Sequence, residues 1–61
     1  MCELKIILDN KVVFENAIYA KAIGKNVLVK DIMGKSEEFQ NHRIIEVSIA
    51  HEQLTLSSVK T

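Results

Sequence analysis

Apolar residues alternate with polar ones along most of this chain, and turn-forming residues interrupt the alternation at short intervals. That pattern belongs to half-buried β-strands, in which successive side chains point to opposite faces. In "CELKIILD" the side chains of Cys2, Leu4, Ile6 and Leu8 share one face, so Cys2 extends a core-facing row to the start of the sequence. Asp9-Asn10 is a turn signal, because both residue types tolerate left-handed backbone angles and bond locally to the main chain. "KVVFE" can then pair back on the first strand. "NAIYAKAI" reads as a further, separate strand, and "GKN" as a hairpin turn in which Gly24 is free to take positive φ. "VLVKDIM" is a strand rich in β-branched residues, and Gly34 marks the next reversal. The polar "KSEEFQNHR" is expected to cross the surface into "IIEVSIA", where Ile45, Val47 and Ile49 alternate. "HEQ" turns the chain into the last strand, "LTLSSV". About six short strands spaced in this way predict an all-β fold, a small barrel or sandwich.

Size bounds what such a fold can be. With 61 residues the chain is a single domain, residues 1–61, and a domain this small buries only about 60% of the surface its unfolded chain exposes. Scaffolds of this size rely on disulfides, a structural metal or a partner chain. One cysteine excludes an intrachain disulfide, so self-association is the expectation. Lys and Arg number 8 against 8 for Asp and Glu, and a net charge of zero supplies no global field toward phosphate. Nucleic acid is therefore an unfavoured partner. No apolar run has the roughly 18 residues of a membrane span, and the early Glu3 and Asp9 spoil "MCELKIIL" as a signal peptide. A cytoplasmic setting is expected, in which Cys2 persists as a free thiol or a metal thiolate.

Few residues offer chemistry. Cys2, His42 and His51 could form a nucleophile and base, yet no glycine-rich oxyanion loop accompanies them and the chain is too small to enclose much of a pocket, so catalysis is not expected. His51 reads as a turn residue and His42 as a solvated loop residue, neither in metal-ligand spacing with another. Phe14, Tyr19 and Phe39 read as core residues rather than as stacking platforms for bases. Cys2 stands apart because of its position. The Met1 amine, the Cys2 amide nitrogen and the Cys2 sulfur can close two fused chelate rings, and nitrogen with thiolate donors in a plane suits Ni(II) or Cu(II). One chain has too few donors to complete such a site, whereas two N-termini meeting at a two-fold axis would supply four. A merely exposed or buried thiol remains the competing account of Cys2.

The sequence resembles the CooT family of small nickel-binding proteins. The likeness spans the opening Met1-Cys2-Glu3, a first strand ending near Leu8, "VLVKDIMG" up to Gly34, and the closing "RIIEVSIAHEQLTL". It implies an SH3-like β-barrel, a homodimer, and Ni(II) bound through Cys2 with its own backbone nitrogen or the Met1 amine in support. It also implies an accessory, metallochaperone role toward carbon monoxide dehydrogenase or another nickel enzyme and its assembly proteins. Two other classes remain open. One is a small-barrel module for RNA or protein in which Cys2 is incidental, with a basic face of Lys21, Lys25, Lys30, Lys35 and Arg43; the other is a thiol redox sensor.

Overall fold

The computed structural model describes residues 3–59. Six strands form one sheet: β1 (Leu4–Leu8), β2 (Lys11–Ile23), β3 (Asn26–Asp31), β4 (Ser36–Gln40), β5 (His42–Ser48) and β6 (Gln53–Ser58). Their order is β4-β3-β2-β1-β6-β5. Neighbours run antiparallel except β1 and β6, which are parallel. The all-β expectation holds, and among the described residues no helix is long and apolar enough to cross a membrane.

Turn chemistry sets most of the boundaries. Asp9 and Asn10 both have positive φ, 53° and 63°, as a two-residue hairpin between right-twisted strands requires. Gly24, at φ 57°, opens the β2–β3 turn. The end of β3 departs from expectation, because the strand stops at Asp31 and leaves Ile32 and Met33 in a turn. The Asp31 carboxylate Oδ1 accepts the N–H groups of Met33 at 2.9 Å and Lys35 at 2.8 Å, and Gly34 completes the reversal at φ 91°. "KSEEFQNHR" is likewise no surface crossing. It supplies β4, paired along β3 from Lys30–Ser36 to Asn26–Gln40, then a one-residue corner at Asn41 (φ 61°) and the start of β5.

The separate strands expected in "KVVFE" and "NAIYAKAI" are one continuous strand of 13 residues. Its first half pairs with β1 and its second with β3, and Ala17 faces Leu4 on one side and Asp31 on the other. Register shifts fall on both sides of Ala17, and Asn16 takes φ 62°. Bulges of this kind bend a strand and let it pass from one layer to another. Asn16→Val, a β-branched residue forced into the left-handed region, is expected to cost about 1–2 kcal/mol, whereas Asn16→Gly should be nearly neutral. Equal denaturation midpoints for the two variants would show that this corner does not need a positive φ.

Because β2 bends, the sheet curls. β4 and β5 are its opposite edges, yet only Asn41 separates them in sequence, so the edges meet at that corner. There His42 N–H donates to Lys25 O at 2.9 Å and Val59 N–H to Asn41 O at 2.8 Å. No β4–β5 ladder forms among the described residues, and the sheet is curled but not closed. Its concave face holds the core of Ile6, Phe14, Ala17, Val27, Val29, Leu54 and Leu56, with Leu4, Leu8, Ala20, Phe39 and Ile44 packed against it. The face expected for Leu4, Ile6 and Leu8 is thus the inner one.

β5 does not follow its alternation inward. Ile45 (53% exposed), Val47 (54%) and Ile49 (61%) stand in solvent, and Ile44 turns to the core instead. A register shift between Ile44 and Glu46 leaves Ile45 as an extra residue; Ile44 stands opposite Leu56 and Val47 opposite Leu54, Val47 staying exposed on this edge strand, and Ile49 lies in the turn after it. Tyr19, expected in the core, is 42% exposed, with Lys30 Nζ 5.0 Å from its ring centre. Ala17 and Ala20 take the inward positions on either side of it.

Candidate functional site

Met1 and Cys2, the residues expected to bind metal, lie outside the described residues. What surrounds the start of β1 is described. Leu4 pairs with Ala17 of β2, and Lys5 pairs with Gln53 of β6 while its N–H donates to Glu52 O at 2.9 Å. Ile32 N–H donates to Asn16 O at 3.2 Å, tying the β3–β4 turn to the bend of β2. Two turns therefore flank the beginning of β1: Ile32–Gly34 across β2, and Ile49–Glu52 beside β6.

His51 belongs to the second of these turns, as expected. Its backbone N–H donates to Ser48 Oγ at 3.2 Å, and the same hydroxyl lies 3.0 Å from the ring Nδ1. A hydroxyl can accept the first bond while donating the second. The imidazole is thereby held by Nδ1, and Nε2 is the ring nitrogen left for other contacts. His42 is not the solvated loop residue expected. It opens β5, is half-buried, donates from Nδ1 to Gln40 O at 2.8 Å, and sets its ring edge-on to Phe39 at 6.0 Å. Ser58 Oγ stands 3.5 Å from Nε2. His42 thus braces the corner where the sheet edges meet, at the opposite end of β5 from His51.

Other candidate chemistry is dispersed. A cleft of about 390 Å³ beside the β2 bend is bordered by Glu15, Asp31, Lys35 and Glu37. One Asp31 oxygen is already committed to two backbone N–H groups. Among the described residues no three His, Cys, Asp or Glu side chains group closely enough to hold a metal ion. The basic residues do not gather either. Lys21 and Lys30 lie on the convex face of β2 and β3, Lys25 is in the β2–β3 turn, Lys35 precedes β4, and Arg43 is on β5.

Sequence reasoning missed the apolar character of this end of the sheet. Ile18 (51%), Ile32 (43%), Met33 (86%) and Ile49 (61%) are all exposed there. Reading Ile32 and Met33 as strand hid them. The available signal was Asp31 three residues before Gly34, the spacing of a side-chain-capped turn. Comparison with protein-family models and with curated proteins finds no match for this chain.

Proposed function

We propose that this chain is a Ni(II)-binding accessory protein and not itself an enzyme. In this reading it is a small SH3-like barrel that acts as a cytoplasmic homodimer, holds nickel at Cys2, and passes the ion to carbon monoxide dehydrogenase or another nickel enzyme, or to its assembly proteins. The observation that carries the proposal is the opening Met1-Cys2, which sets an amine, an amide nitrogen and a thiolate on neighbouring atoms and anchors the resemblance to the CooT family. The Met1 amine or the Cys2 nitrogen supports the sulfur, and a second chain completes the donor set.

The surroundings are compatible with delivery. Cys2 lies two residues before Leu4, where the described strand β1 begins. Exchange with a client needs an accessible site. The N-terminal dipeptide is the donor set to test. The curled six-stranded sheet, with its edges meeting at Asn41, supports the barrel reading.

Anaerobic calorimetric titration of reduced protein with Ni(II), with absorption spectra recorded in parallel, tests the proposal. About one ion per two chains and sulfur-to-nickel charge-transfer bands are expected. Affinity should rise with pH up to the ordinary thiol range near 8.5, because binding expels the thiol proton. Absence of nickel binding would end this reading and return the RNA- or protein-binding module to first place.

A further inference from the structure

We infer that the open side of β2 between Lys11 and Glu15 takes up an extended, arginine-bearing segment of another protein as an added strand. β1 pairs with one side of this stretch, and β3 reaches β2 only from Ala17 onward. Asp31, opposite Ala17, caps the turn that leads β3 away, and among the described residues no strand continues its line along residues 11–15. The cleft of about 390 Å³ lies on this side, because residues 12–16 share it with Asp31, Lys35 and Glu37. Its volume falls in the range of about 300–1,000 Å³ that ligand sites occupy. Charged side chains guard the two outer edges of the sheet, Glu38 on β4 and Arg43 and Glu46 on β5. The open stretch of β2 instead presents Val12 (46% exposed) and Val13 (37%), and the register passes from Val12 to Phe14, so Val13 has no residue opposite it on β1. A segment laid along such an edge gains main-chain hydrogen bonds, and its alternate side chains supply the selectivity.

Charge decides which segment fits. Of the residues lining the cleft, Glu15, Asp31 and Glu37 carry carboxylates and Lys35 a cation. That excess repels nucleic acid and an anionic lipid surface and attracts a basic strand. A second copy meets the same objection, because a two-fold interface sets one patch against itself and so brings carboxylate excess to carboxylate excess. The three carboxylates are not grouped closely enough to share a metal ion. Arginine suits them better, since its guanidinium presents five donors in a planar fork and pairs with carboxylates through two parallel bonds. The inference goes beyond the nickel reading and does not rest on it.

The test is fluorescence anisotropy of a labelled octapeptide alternating arginine and valine, titrated with metal-free protein, beside glutamate–valine and arginine–proline octapeptides. Saturable binding of the arginine–valine peptide alone is expected, weakened about tenfold or more by Glu37→Lys and changed less than about twofold by Glu38→Lys. The two variants make the same change of charge at neighbouring exposed residues of β4, of which only Glu37 lines the cleft, and circular dichroism should show both folded. Bound peptide should also slow amide exchange across residues 12–15. Absence of binding overturns the inference. So does an equal loss in Glu38→Lys, or equal affinity for the arginine–proline peptide, whose prolines lack the N–H groups of a ladder; either result reduces the contact to diffuse charge attraction. Protection of residues 12–15 that rises with protein concentration in the absence of peptide would overturn it in favour of a second copy. Every measurement is made without metal, so failure here leaves the nickel reading intact, and failure to bind nickel leaves this inference standing.

Discussion

Cys2→Ser is expected to abolish tight Ni(II) binding while leaving the far-ultraviolet dichroism and thermal midpoint of the metal-free protein unchanged. A serine hydroxyl keeps the size and the chelate geometry of the side chain but is not deprotonated near neutral pH, and nickel loses the only thiolate donor of that chain. Removing a partner that merely orients a ligand costs about 10–100-fold in affinity; loss of the ligand itself should exceed that range and erase the charge-transfer bands. The fold should tolerate the change because serine is close to cysteine in size and, among the described residues, the core side chains of β1 are Leu4, Ile6 and Leu8. Nickel affinity within a few-fold of the parent would remove Cys2 from the site. A collapse of the thermal midpoint would instead make Cys2 a structural residue.

The other large effect concerns the core. Ile6→Ala should leave most of the chain unfolded at 37 °C. Ile6 is fully buried at the middle of β1, directly beside Phe14 of β2 and Leu54 of β6. Truncation of such a side chain costs about 2–5 kcal/mol, whereas a chain of 61 residues has a total stability of only about 3–9 kcal/mol at the usual per-residue value. Ile6→Val, which removes one methyl group, should cost about 0.5–1.5 kcal/mol and remain folded. Chemical denaturation followed by circular dichroism decides the matter. If self-association contributes to stability, the midpoint of the parent protein should also rise with protein concentration. An unaltered midpoint in Ile6→Ala would mean that β1 does not carry the core.

Local features of the sequence were sufficient for several elements. Strict alternation places Leu4, Ile6 and Leu8 inward, and nothing elsewhere in the fold disturbs it. Asp9-Asn10 and Gly24 form the hairpin turns their types predict, since a left-handed angle is a property of the residue and its immediate neighbours. All-β character follows from the same short-range signals, whereas the count of six agrees only because two expected strands merge in β2 and β4 was not expected. The donor chemistry of Met1-Cys2 is also a property of adjacent atoms, and it is written in the first two letters.

Tertiary structure decided everything that depends on pairing across the chain. β2 is one strand because β1 and β3 each claim half of it, and a bulge at Asn16 costs less than leaving backbone groups unpaired. "SEEFQ" is a strand because β3 offers it a ladder, although its own composition is that of a solvated loop. On β5 a single extra residue at Ile45 sets the register: Ile44, opposite Leu56, packs against the core, while Ile45 and, opposite Leu54 on this edge strand, Val47 remain exposed. The apolar end formed by Ile18, Ile32, Met33 and Ile49 joins residues up to 31 positions apart, brought together only by the register of β1 against β2 and β6. Alternation in sequence reports that a residue changes face at each step; which face is inward, and where the count slips, is settled by the partner strand.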